Sequence, residues 1–133
     1  MDKKIIVAVG VGASLRNHIA EEFGRNGFRV ILMARREEKL QEYVAQMNAD
    51  GIEAEYQTVD CSSNDSIRAA FDAVKKYRTV DVLAYNTAVL QDGFATAISP
   101  EELADRYQVD VAGAVCAAQK RCVQAWLWPD AVA

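Results

Sequence analysis

Scarcity sets the first limits on this chain of 133 residues. It has one histidine and three cysteines, Cys61, Cys116 and Cys122, and their spacing matches no metal-ligand pattern. A zinc centre is therefore not expected, and an odd cysteine count does not make a disulfide scaffold. Reduced thiols in a cytoplasmic protein are the expectation. Only 2 prolines and 7 glycines occur, with no biased tract, which excludes a long disordered or fibrous chain. Basic residues do not exceed acidic ones, 15 against 19, for a net charge of −4. No nucleic-acid or anionic-membrane partner is expected, and any anion must be held by a local basic pocket. The first apolar run, Ile5-Ile6-Val7-Ala8-Val9, is too short for a membrane span or the core of a signal peptide.

What is present is a chain 51% hydrophobic and 26% charged, read as one globular domain over residues 1–133. Short apolar runs alternate with segments of helical period, the pattern of a parallel sheet with crossover helices. Strands are expected at Lys4 to Val9, Phe28 to Met33, Ile52 to Val59 and Val80 to Tyr85. Between them, Leu15, Ile19 and Phe23 recur at helical spacing, followed by Leu40, Tyr43, Val44 and Met47, then Ile67, Ala70, Phe71 and Val74. Gly27 stands where a helix ends in a residue that accepts positive φ, and the second helix is expected to stop at Gly51. Ser62 or Ser63 can cap the third helix. Ser99-Pro100-Glu101-Glu102 combines an N-cap serine, a proline at the first helical position and a glutamate at the third. That signature predicts a last helix running unbroken to about Trp126.

Two places carry chemistry. The turn after the first strand reads Val9-Gly10-Val11-Gly12-Ala13-Ser14-Leu15, a G-x-G between strand and helix, which can set backbone N–H groups and a helix N-terminus against a pyrophosphate. An ordinary tight turn is the alternative. At the tip of the second strand stands Met33-Ala34-Arg35-Arg36. In a dinucleotide site an acid there would meet a ribose 2′-hydroxyl, whereas a base pairs with a 2′-phosphate, so NADP(H) is expected over NAD(H). Solvated surface arginines are the alternative.

These landmarks, with others further on, resemble the short-chain dehydrogenase/reductase family. Gly10 to Arg16 resembles its glycine-rich turn, and Val59-Asp60-Cys61 its aspartate after the third strand. Tyr85-Asn86-Thr87-Ala88 is similar to its Asn-Asn-Ala-Gly segment, and Asp110-Val111-Ala112-Gly113 to its Asn-Val-x-Gly stretch. The resemblance implies Gly10, Gly12, Ser14 and Leu15 at the pyrophosphate, Arg35 at the 2′-phosphate, Asp60 and Cys61 at the adenine, and Asn86, Thr87 and Ala88 beside the nicotinamide ribose. It further implies an oxidoreductase acting on a small-molecule alcohol or carbonyl. Arg16 stands where relatives carry glycine, and Asp110 where they carry asparagine.

The family's reaction also needs a serine and a Tyr-x-x-x-Lys pair. Tyr43, Tyr56, Tyr77, Tyr85 and Tyr107 are followed four positions later by Met47, Asp60, Asp81, Val89 and Val111, so no such pair occurs in this sequence. No catalytic residue is therefore assigned. The alternative function is a non-catalytic nucleotide-binding or oligomerisation module. The expected fold is a Rossmann-type three-layer α/β sandwich of four parallel strands in order 3-2-1-4, read as C-terminally truncated relative to the family. Such a chain leaves the fourth strand at an edge and the last helix partly uncovered, so a homo-oligomer through either is expected.

Overall fold

The computed structural model describes residues 3–10, 15–77, 80–88 and 95–122. Four parallel strands, β1 (Ile5–Val9), β2 (Arg29–Ala34), β3 (Ala54–Thr58) and β4 (Val82–Tyr85), form one sheet in the order β3-β2-β1-β4. This is the expected order. Val7 of β1 sits level with Ile31 of β2 and Leu83 of β4, so β1 is flanked on both sides. It is buried along its whole length, which is why it reads as a continuous apolar run.

Alternation along the strands splits the core in two. Ile5, Val7, Val9, Ile31 and Met33 face α3 (Asn64–Val74) and α5 (Gly113–Cys122), where Ile67, Phe71, Cys116 and Ala117 fill the layer. On the other face Ile6, Ala8, Val30 and Leu32 meet α1 (Leu15–Arg25) and α2 (Glu37–Ala49) through Ala20, Leu40 and Met47. Helices on both faces make the three layers, and the side chains of α3 that are buried are the four predicted from their spacing. Gly27 and Gly51 have φ of +89° and +81°, each just past a helix end.

Caps follow the sequence where the sequence supplies them. Ser63, not Ser62, caps α3, its Oγ accepting the N–H of Ser66 at 3.2 Å. Helix α4 (Pro100–Tyr107) starts on a reciprocal box: Ser99 Oγ accepts the Glu102 N–H at 3.1 Å, and Glu102 Oε2 accepts the Ser99 N–H at 2.9 Å.

The expectation of an unbroken α-helix from Ser99 is corrected here. Gln108–Ala112 forms a π-turn between α4 and α5, with the Gly113 N–H reaching back five residues to the Gln108 carbonyl. The Val109 carbonyl, which an α-turn would have given to Gly113, instead accepts the hydroxyl of Tyr85 from the end of β4. Gln108 is held as well, its Nε2 donating to Asn64 Oδ1 at 2.8 Å. The extra residue is accommodated because two distant elements bind the widened turn. Residues beyond 122, including Trp126, lie outside the described residues.

Candidate functional site

The carboxyl ends of β1, β2 and β4 meet where the chain crosses from one face of the sheet to the other, the place where α/β sheets leave a crevice. Backbone hydrogen bonds fix it. The Gly10 N–H donates to the Met33 carbonyl at 2.9 Å, the Asn86 N–H to Val9 at 3.0 Å, and the Val59 N–H to Ala34 at 2.9 Å. Gly10 has φ +87°, and a Cβ built on it would stand 2.6–2.8 Å from the Cβ, Cα and N of Thr87. Only glycine allows the segment after β4 to pass this close to the end of β1.

A cavity of about 360 Å³ opens beside this crossing. Gly10, Arg35, Asp60, Cys61, Thr87 and Ala88, six of the residues singled out in the sequence, line it. Asn86 is exposed next to them and is not part of the wall. Gly12 and Ser14 lie outside the described residues, and Leu15 opens α1. Arg36, named with Arg35 at the tip of the second strand, lines it too, and Lys39, Tyr43, Ser62 and Val109 do so without having been anticipated. Lys39 had a signal in the sequence, since a cation three residues beyond the N-cap Arg36 falls on the same side of the next helix. Val109 had none, because its place depends on the π-turn.

One wall is cationic. Arg36 stands at the N-cap of α2 in extended conformation, and no side chain caps that helix. Its first-turn N–H groups are left for solvent or an anion. The Arg35 and Arg36 side chains have no hydrogen-bond or ion-pair partner among the described residues, whereas Lys39 Nζ pairs with Glu42 Oε2 at 3.1 Å.

The cavity also holds a fixed carboxylate. Asp60 Oδ1 accepts the Ser62 hydroxyl at 2.6 Å and its N–H at 3.0 Å, and the Asp60 N–H donates to Ser66 Oγ at 2.9 Å. The two bonds from Ser62, helped by the charge of Arg35, hold its pKa below the usual carboxylate value. Below it, burial pushes the Cys61 thiol pKa up, against the opposing pull of the Tyr85 hydroxyl and Arg35, so the thiol is neutral and a poor nucleophile at neutral pH. Burial first, then Cys61, also raises the pKa of Tyr85. That phenol is set to hold the Val109 carbonyl, not to release a proton.

Among the described residues no group of three histidine, cysteine or acidic side chains could hold a metal, and no helix is long and apolar enough to cross a membrane. The geometry is that of a dinucleotide-fold crevice with a basic wall. Residues 4–126 match the family model of the short chain dehydrogenases, and the chain belongs to that family.

Among its relatives is a provisionally named ketoacyl reductase of Streptomyces coelicolor, 36% identical over 111 residues, which span 83% of this chain and 41% of that protein. A trihydroxynaphthalene reductase of Pestalotiopsis fici is 28% identical over 115 residues, 85% of this chain and 41% of that protein. Of solved structures, a variant of actinorhodin polyketide ketoreductase with NADPH superposes with a TM-score of 0.83 at 27% identity, over 89% of this chain and 46% of that one. A metagenomic short-chain oxidoreductase in complex with NADP gives a TM-score of 0.83 at 28% identity, over 90% and 55%. The chain thus spans about two-fifths of the length of these curated relatives.

Proposed function

We propose that this chain is the NADP(H)-binding unit of a short-chain oxidoreductase, with the cavity at the carboxyl ends of β1, β2 and β3 as its adenosine site. The observation that carries this reading is the cationic wall: Arg35, Arg36 and Lys39 stand around the uncapped start of α2 where an NAD-type site would present an acid. A 2′-phosphate placed there meets two guanidinium groups, an ammonium and the first-turn N–H groups of a helix. In the same cavity, Asp60 has one oxygen engaged by Ser62 and keeps the other as an acceptor for the amino group of adenine. Gly12, Ser14 and Leu15 would pass backbone N–H groups to the pyrophosphate, with Gly10, whose own N–H is held by the Met33 carbonyl, opening the turn beside it, and Asn86, Thr87 and Ala88 would flank the nicotinamide ribose.

Asp60, its pKa held below the usual carboxylate value, favours a donor over a phosphate, which supports a 2′-phosphate on the Arg35 side. When bound, the nicotinamide supplies hydride chemistry. The residues of this chain bind and orient the cofactor, since Tyr85 is committed to Val109 and no Tyr-x-x-x-Lys pair exists in the sequence. The substrate of the oxidoreductase is an alcohol or carbonyl compound; the alternative reading, a non-catalytic binding module, rests on the lack of a Tyr-x-x-x-Lys pair in this sequence.

Isothermal titration with NADPH and NADH tests this. NADPH is expected to bind more tightly by at least about tenfold, and Arg35→Ser to remove about 10- to 100-fold of NADPH affinity while leaving NADH nearly unchanged, the range for loss of a charge-assisted contact. Equal affinities for the two, or an Arg35→Ser effect of the same size on both, would refute the assignment. NADPH oxidation by the purified chain that depends on a carbonyl substrate would refute the non-catalytic reading.

A further inference from the structure

The segment that leads from β2 into α2 reads Arg35-Arg36-Glu37-Glu38-Lys39, so two acids stand among the cations of the cavity wall. Arg35, Arg36 and Lys39 line the cavity, and Glu37 and Glu38 do not. Helix geometry accounts for one of the two acids. At about 100° per residue, Lys39, Leu40 and Tyr43 share the side of α2 that lines the cavity, and Glu38 falls on nearly the opposite side. Glu37 falls on the flank, next in sequence to the N-cap Arg36. An exposed glutamate at that place can turn toward the guanidinium of Arg36 or toward the edge of the sheet.

A phenol decides the direction. Tyr56 of β3 is level with Leu32 of β2, on the sheet face covered by α2, and its half-buried ring packs against that core. Its hydroxyl donates to Glu37 Oε1 at 3.0 Å and accepts a hydrogen bond from Gln41 Nε2 at 3.1 Å. Gln41 lies one helical turn beyond Glu37 on the same flank, so the two side chains converge on one oxygen. The single phenol proton is committed to Glu37, and the glutamine amide fixes its orientation. The carboxylate is thereby drawn to the outer strand of the sheet, and the Arg36 guanidinium is left without an ion-pair partner among the described residues.

We propose that Tyr56 is a positioning residue for cofactor selection: it holds the Glu37 carboxylate against β3, so that a 2′-phosphate at the cationic wall meets Arg35, Arg36 and Lys39 with no acid among them. This deepens the NADP(H) reading and rests on it. A released Glu37, adjacent to Arg36, would offset part of the positive charge and repel a phosphate monoester that carries about two negative charges. An unphosphorylated ribose escapes this repulsion, because its 2′-hydroxyl is neutral and can donate to a carboxylate.

Isothermal titration with NADPH and NADH at low ionic strength tests the role in a cycle of wild type, Tyr56→Phe, Glu37→Gln and the double variant. Tyr56→Phe keeps the packed ring and removes only the hydroxyl. It should weaken NADPH binding by about 3- to 10-fold, leave NADH binding within about twofold, and lose its effect as salt is raised. Glu37→Gln removes the charge that the hydroxyl restrains, so that variant should bind NADPH at least as tightly as wild type. Adding Tyr56→Phe to it should then cost less than about twofold. NADPH binding indifferent to Tyr56→Phe, an equal loss for both nucleotides, or a loss of full size in the Glu37→Gln background would each overturn the role of Tyr56. In all three cases a wild-type preference for NADPH would leave the proposed function standing. A wild-type chain that binds the two nucleotides equally would overturn both.

Discussion

Replacing Gly113 by alanine separates helix propensity from packing at the π-turn and predicts a result that depends on a residue in another element. Gly113 has φ −62° and ψ −40°, so its backbone suits any residue, and alanine there should favour the helix by about 1 kcal/mol. Its Cβ, however, would lie 2.5 Å from Tyr85 Oη and 3.1 and 3.2 Å from the carbonyl oxygens of Gln108 and Cys61. The ring of Tyr85 packs against the buried core, so the phenol can yield only by leaving the Val109 carbonyl. Losing that hydrogen bond in a half-buried place costs about 1–3 kcal/mol, and the overpacking adds a further ~1–3 kcal/mol. After subtracting the helix gain, Gly113→Ala should destabilise by about 1–5 kcal/mol, a fall in thermal midpoint of roughly 3–5 °C per kcal/mol. Tyr85→Phe removes the obstructing oxygen and alone should cost about 1 kcal/mol. In that background Gly113→Ala should be at least about 1 kcal/mol less harmful, because the shortest contact is gone. Urea unfolding of the four proteins of the cycle reads the coupling. Additivity within ~0.5 kcal/mol, or a Gly113→Ala that stabilises the wild-type chain, would refute the account of the turn.

Gly10→Ala combines a φ of +87° with contacts below 3 Å to the backbone of Thr87, and should destabilise by more than about 3 kcal/mol and abolish NADPH binding; calorimetry and titration check both. Asp60 has a pKa depressed below its unfolded value, so its contribution to stability is present above the unfolded value of about 3.9 and is lost as pH falls through the lower folded one. Asp60→Asn should therefore flatten that acid limb of the stability curve measured by circular dichroism; an unchanged limb would show that Ser62 does not hold the carboxylate. Cys61, buried and with a raised pKa, should alkylate with iodoacetamide far more slowly than an exposed thiol at pH 8, and bound NADPH should slow it further, as followed by mass spectrometry. Alkylation as fast as in the unfolded chain would contradict the placement of Cys61 in the cavity floor.

Much of this was legible in the sequence where one local rule decided the outcome. The box at Ser99 and Glu102, the inner face of α3, the positive φ of Gly27 and the helix stop at Gly51 each depend on a few neighbouring residues, and all stand as read. The strand order followed from one family-like succession of apolar runs. The π-turn was not legible, because Gln108–Ala112 contains neither proline nor glycine and its widening depends on a hydroxyl from β4 and an amide partner on α3. The cavity divides the same way. Arg35 was reached from the tip of the second strand and Asp60 through the family resemblance, whereas Val109 enters the wall only through that turn. Arg36 breaks the usual preference for serine, threonine or aspartate at an N-cap, and it does so at the wall of the cavity.

The central claim is that the cavity between Arg35 and Asp60 receives the phosphorylated adenosine end of NADP(H). Adenosine 2′,5′-bisphosphate is the smallest probe carrying that end, and amide chemical-shift mapping on the isotope-labelled chain locates it directly. The account predicts saturable shifts centred on Arg35, Arg36, Lys39, Asp60, Cys61 and Ser62, with those of Arg35 and Arg36 much reduced when adenosine 5′-monophosphate is used instead. Shifts centred elsewhere, or the same response to both nucleotides, would contradict it.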